Sequence, residues 1–162
     1  MTWRGSTTVS DRIFASLVYL LPLLDVVGFV GRILIVTDSF ISPLVNLVAT
    51  PLAPLLSIYT GFIPLIVFFA LFLLVVRNEN IAHFIRFNTM QAILFGIVLS
   101  LIAIVWQYAL APIFGMGLLT QTLFNAVFLG TIAAVGYSIV QTALGRYAEI
   151  PTISDAVYMQ VR

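Results

Sequence analysis

Charged side chains are missing from two long stretches of the chain, Ser39 to Val76 and Phe87 to Gly145, which consist mostly of Leu, Ile, Val, Phe and Ala. Written as one helix at about 1.5 Å per residue, the second stretch would extend on the order of 90 Å, against a hydrocarbon core about 30 Å thick. Two crossings and a turn use up that length; one does not. Divided where polar residues, Gly and Pro interrupt it, the pattern predicts four transmembrane helices over about residues 12–31, 57–76, 84–110 and 119–144. Polar tails at 1–11 and 146–162 flank a membrane domain at 12–145. The expected fold is an all-α integral membrane protein.

Breakers refine this picture. Pro22 removes one backbone donor from the first run and predicts a kink there. Residues 32–60 are apolar but carry Pro43, Pro51 and Pro54 together with Asp38, Asn46 and Thr50. That punctuation predicts a proline-rich interfacial or re-entrant segment between the first two spans, not a clean crossing. A polar island, Arg77 to Gln91, separates the second span from the third, with Asn78 or Asn80 as its expected helix cap and Arg86 snorkelling to water. Trp106 and Tyr108 are expected at headgroup level near the end of the third span. Pro112, Gly115 and Gly117 then form an uncharged turn.

Composition closes off several function classes. With 62% hydrophobic and 8% charged residues and a mean hydropathy of +1.16, the chain is far more apolar than soluble domains, so little of it is expected outside the bilayer. The net charge is +1 and every basic residue is Arg, none clustered; nucleic-acid binding lacks its electrostatic footprint. Cysteine is absent, which removes disulfides, thiolate metal sites and thiol lipidation. No A-x-A-like site follows the first run, so a retained span is expected in place of a cleaved signal, without a transit peptide. Four crossings put Arg4, Arg12, Arg77, Arg86, Arg146 and Arg162 on one face and Arg32 on the other, which predicts both termini toward the cytoplasm or its organellar equivalent.

Few residues offer chemistry. Asp25 is the one carboxylate inside an apolar run; it either faces a polar path through the bundle or sits near the far headgroups with Arg32 about two turns on. Gln91, Gln121 and Asn125 extend the candidate polar path, the alternative being ordinary interhelical hydrogen bonds. Arg77, Glu79, His83 and Arg86 form a candidate cytoplasmic docking face. Glu79 and His83 stand at helical spacing but supply too few ligands for a metal. Ala92, Gly96 and Ser100 continue a small-residue ridge from Asn88, matched by Ala126, Gly130, Ala134 and Ser138 in the fourth span. These ridges are expected to pack the two helices together or to meet another copy or subunit. No nucleophile, phosphate-loop or paired-carboxylate motif is present, so neither an enzyme nor a cofactor is expected.

Residues 68–91 (FFALFLLVVRNENIAHFIRFNTMQ) and 12–25 (RIFASLVYLLPLLD) resemble the Tic20 family, membrane subunits of the protein translocon at the chloroplast inner envelope. The likeness extends over about residues 12–145 and points to the cyanobacterial or plastid-encoded branch. It implies four helices in a plasma or inner-envelope membrane and participation in moving polypeptides, with no catalytic residues to carry over. The expected partners are lipid, further copies or other membrane subunits, and a polypeptide substrate, but no nucleic acid. Two other readings remain: a small-solute or ion transporter, motivated by Asp25, and a non-conducting scaffold or assembly factor.

Overall fold

The structure, a computed structural model, describes residues 7–161; Arg4 and Arg162 lie outside the described residues. All regular elements within them are helical. Helix α1 (Val9–Leu17) opens on a reciprocal cap in which Asp11 N–H donates to Thr8 Oγ1 at 3.2 Å and Thr8 N–H to Asp11 Oδ2 at 2.8 Å, satisfying two otherwise orphaned donors. The chain then tightens at Val18–Tyr19 and resumes as α2 (Leu20–Val26). Pro22, in the first turn of α2, has no N–H to reach the Val18 carbonyl four residues earlier, which accepts from Leu21 N–H at 3.2 Å instead. A π-helical turn at Val27–Gly31 and α3 (Arg32–Val36) complete a first span of 28 residues, Val9–Val36.

Between the first and third spans the chain forms a bent pair. Helix α4 (Ser42–Ile58) and the run formed by α5 (Ile63–Leu71) with a π-helical turn at Phe72–Val76 meet at 91°. Ser42 Oγ donates to the Leu34 carbonyl at 2.9 Å near the end of the first span. The Val76 carbonyl accepts from Arg86 Nε at 2.9 Å. The proline-rich interfacial or re-entrant segment expected between the first two spans is helical over residues 42–58 and forms the first arm of this pair; the span placed at 57–76 follows the bend as its second arm. Pro51 and Pro54 stay within α4, so the chain turns after them, at Tyr59–Phe62.

Helix α6 (His83–Val105), a π-helical turn at Trp106–Leu110 and α7 (Ala111–Phe114) make the third span; α8 (Leu118–Ala143) makes the fourth. Gly145 closes α8 with φ +73°, and Arg146 N–H donates to the Gln141 carbonyl at 2.9 Å, a six-residue closure that favours glycine. A Cβ at position 145 would stand 2.6 Å from Thr7 Oγ1 and 2.9 Å from Arg12 Nε. The start of the first span thus lies against the end of the last. Residues 146–162, expected as a polar tail, contain α9 (Ile153–Gln160), whose Val157 packs with Val161, Val76, Phe87 and Met90.

The first span lies between α6 and α8. Toward one end Val26, Val30 and Leu34 pack with Trp106, Phe124 and Phe128; Trp106 meets Phe124 edge-on at 4.9 Å. Trp106 is therefore a core residue and not a headgroup anchor, while Tyr108 is exposed. Toward the other end Tyr19 is fully buried, donating to Asn88 Oδ1 at 2.8 Å and accepting from Gln91 Nε2 at 2.8 Å. Gln91 also donates to the Ala148 carbonyl at 2.7 Å and accepts from Ser154 Oγ at 3.1 Å, and Thr142 Oγ1 donates to Asn88 at 3.2 Å. One polar cluster so joins the first, third and fourth spans to the chain around α9.

Two predictions follow from these contacts. Gln91→Leu removes the bonds of Gln91 to the Tyr19 hydroxyl, the Ala148 carbonyl and Ser154, and should cost about 2–4 kcal/mol in a detergent unfolding titration, whereas exposed Gln107→Leu should cost nothing measurable. Gly145→Ala should lower the same stability and raise hydrogen exchange around residues 143–148, since the new methyl collides with Thr7 and Arg12.

Candidate functional site at the elbow of the broken span

The elbow at Tyr59–Phe62 comes to rest against Asp25. Asp25 lies about 24 Å along the first span and Gly96 about 20 Å along α6 at about 1.5 Å per residue, so both stand near mid-bundle. Gly96 matters because of the carboxylate: a Cβ there would lie 2.9 Å from Asp25 Oδ2, so an added methyl would require the carboxylate to shift. Tyr59, from the elbow, lines the same cavities as Asp25.

Two cavities share Asp25, Tyr59, Gly61 and Pro64. One, of about 430 Å³, continues between the first span and α6 along Leu21, Gly96 and Ser100. The other, of about 310 Å³, continues toward Arg32 and Thr60 beside the wide turn at Gly28. Together they form a groove along the elbow. Its walls are mostly apolar, and Asp25 supplies its deep negative charge. Asp25 is only half-buried. Asp25 borders the cavity between the first span and α6, and the outer cavity leads from it to Arg32.

The other candidates do not join it in a path. Gln91 is committed to the Tyr19 cluster about 9 Å along the first span from Asp25. Near the opposite end, Asn125 Oδ1 accepts from Ser39 Oγ at 2.7 Å and Gln121 Nε2 donates to the Thr37 carbonyl. These are interhelical hydrogen bonds at three levels, each serving its own junction.

The docking face also divides. Arg77 and Glu79 are exposed. Arg86 is buried and its Nε bonds the Val76 carbonyl, so it secures the turn into α6 and does not snorkel. His83 Nδ1 lies 3.0 Å from the Tyr147 hydroxyl, and the helix cap is Ala82, not Asn78 or Asn80. The physical reason is the packing of the chain after α8 over this end, which converts water-facing positions into contacts.

The two small-residue ridges do not face each other. Asn88 and Ala92 are buried against the first span, Gly96 faces Asp25, and Ser100 borders the groove. In α8 only Ser138 is buried and Ala134 half-buried; Ala126 and Gly130 are exposed. The packing face of α8 is instead Phe124, Phe128, Thr131 and Val135. Large residues fill that gap because the first span occupies the space between α6 and α8. Tyr59 was absent from the sequence reading; the bend beside it is marked in the sequence by Gly61 followed by Pro64. Among the described residues, no group of three or more His, Cys, Asp or Glu gathers in a metal-binding arrangement.

The contrast between glycines is testable. Gly96→Ala should destabilise the protein by about 1–3 kcal/mol through overpacking against Asp25. Gly130→Ala, where a new methyl meets nothing within 4 Å, should be neutral or stabilise by up to about 1 kcal/mol through helix propensity. Parallel unfolding titrations read both.

Comparison with known proteins bears on the whole bundle. The family model described as "Chloroplast import apparatus Tic20-like" matches residues 9–157, from the first residue of α1 into α9. A Tic20 family protein of Synechocystis is 51% identical over 154 residues, covering 94% of this chain and 93% of that one. The Tic20 family protein Ycf60 of the red alga Gracilaria tenuistipitata is 33% identical over 159 residues, covering 95% and 76%. The chloroplastic protein TIC 20-II of Arabidopsis thaliana is 28% identical over 169 residues, covering 99% and 78%. With its helical spans, its broken second crossing and these matches along nearly its whole length, the chain belongs to the Tic20 family of multi-pass membrane proteins.

Proposed function

We propose that this protein is a membrane-embedded, non-catalytic subunit of a polypeptide translocation apparatus and contributes to a passage together with further copies or other subunits. The observation that carries the reading is the family match to the chloroplast import apparatus over residues 9–157. The bundle supports the need for partners. Its centre is filled by Tyr19, Phe124, Phe128 and Val135, which leaves no bore for a chain whose backbone must stay solvated or hydrogen-bonded. Exposed Ala126 and Gly130 on α8 let another helix approach closely.

Orientation belongs to the same proposal: both termini face the cytoplasm or stroma. Arg12 beside Gly145, Arg77 and Arg86 at the entry to α6, and Arg146 after α8 gather at one end, while Arg32 lies about 30 Å further along the first span. That is the asymmetry of the positive-inside bias. Single cysteines introduced at Ser10 and Glu149 should react with an impermeant maleimide from the cytoplasmic side, and one at Gly117 from the opposite side; separation of the first two by the membrane would sink the arrangement.

The direct test is an arrested precursor carrying a photo-reactive residue in native membranes. Adducts to this protein are expected, and their consistent absence with a precursor that does cross would overturn the proposal. A small-solute or ion pathway is favoured by one observation, the cavity around Asp25 and Tyr59 at the break in the second span. Liposomes containing the purified protein should show no flux; flux abolished by Asp25→Asn would establish that second reading instead.

A further inference from the structure

The groove at the elbow combines three features that a lipid-facing crevice does not need. It holds a carboxylate near the middle of the bundle, an unsubstituted α-carbon at Gly96 against that carboxylate, and a phenol at Tyr59 that lines the same cavity. A charge at mid-membrane costs several kcal/mol unless it is compensated. Arg32 follows Asp25 by seven residues, about 10 Å along the axis, and borders only the outer cavity.

The groove's occupant is constrained by this chemistry. A small metal cation needs several oxygen ligands, whereas the deep cavity offers a carboxylate, a phenol and the Ser100 hydroxyl amid Leu, Ile and Phe. A lipid amine sits at the surface, well above this depth. An apolar polypeptide segment with one basic side chain satisfies both parts of the groove: its aliphatic body covers Leu21, Leu65 and Phe68, and its ammonium or guanidinium reaches Asp25. We infer that the elbow groove is a docking site for a basic side chain carried within an otherwise apolar, membrane-embedded polypeptide segment. The site rests on the polypeptide-handling role proposed above and gives that role a location. Gly96 keeps the carboxylate accessible, Tyr59 adds a hydroxyl to the same cavity, and Arg32 at the mouth repels basic residues that enter at headgroup level and attracts acidic ones there.

The test uses the full chain in phosphatidylcholine liposomes and a synthetic Leu/Ala transmembrane peptide with one central lysine and an adjacent photo-reactive residue. A charge-assisted contact predicts that replacing the lysine by norleucine lowers the adduct yield about tenfold. Asp25→Asn should reduce the lysine peptide to the norleucine level, and Asp25→Glu should restore part of the difference. Tyr59→Phe serves as the second variant: it retains the acid and should give an intermediate yield. Adducts should map to residues 59–65 or 96–101. Equal yields for both peptides would assign the groove to any apolar segment or to lipid, and loss of the lysine-dependent yield in about 0.1 M sodium would assign it to a small cation; either result overturns the inference. Folding of each variant is read from its unfolding titration, so that a misfolded Asp25→Asn leaves the decision to Tyr59→Phe and the peptide pair. Failure here alongside precursor adducts in native membranes would remove this site and leave the translocation role standing. Success here without precursor adducts would separate a receptor for basic segments from the translocation path.

Discussion

Inside a bilayer no water is at hand to satisfy a stranded polar group, and the hydrogen bonds around Tyr19 meet that constraint for the whole bundle. The Tyr19 hydroxyl both donates to Asn88 and accepts from Gln91, while those amides reach Thr142, Ala148 and Ser154. Because apolar helices gain little from each other over lipid tails, such bonds and close packing decide which helices are neighbours. Here they fix the first span between the third and the fourth. They also hold the chain beyond Gly145 in place, so that α9 becomes part of the membrane domain's end and not a separate tail.

The placement of the first span has a consequence on each side. Toward α8 it demands large side chains, and Phe124, Phe128 and Val135 supply them. Toward α6 it brings a carboxylate to a helix backbone, and Gly96 is the residue that admits it. The second crossing then completes the enclosure by bending 91° beside that carboxylate. Irregular backbone at membrane depth is tolerated where protein or a cavity borders it, and the two cavities beside Asp25 border the elbow at Tyr59–Phe62. A half-buried acid, a broken helix and a groove are therefore one structural event, and the broken crossing is the part of the bundle with the fewest buried residues.

Much of this was legible in the pattern of the chain. Long uncharged runs made the chain an all-helical membrane protein with three to four crossings, since helices are the economical way to satisfy backbone groups in lipid. The proline-rich segment was recognised as irregular, but composition does not set how a helical segment turns within the bundle. The difference is set by where Ser42 and Val45 find partners on the first span, which no local signal encodes.

The sequence by itself determined that the chain lives in a membrane, that its helices number about four crossings, and that its family is Tic20, because hydropathy and the residues of the polar island are local properties read in order along the chain. Only the tertiary structure decided which residues are interior. Small-residue spacing in α6 and α8 suggested mutual packing, yet Ala126 and Gly130 face outward because the first span, distant in sequence, takes the space between. Arg86 and Trp106 looked like interface residues and are buried for the same kind of reason. Asp25 acquired its setting from Tyr59, which no local pattern marked, and from Gly96, whose place in the small-residue ridge did not point to a carboxylate, because a site is made by the distances between elements and those are fixed only when the helices pack.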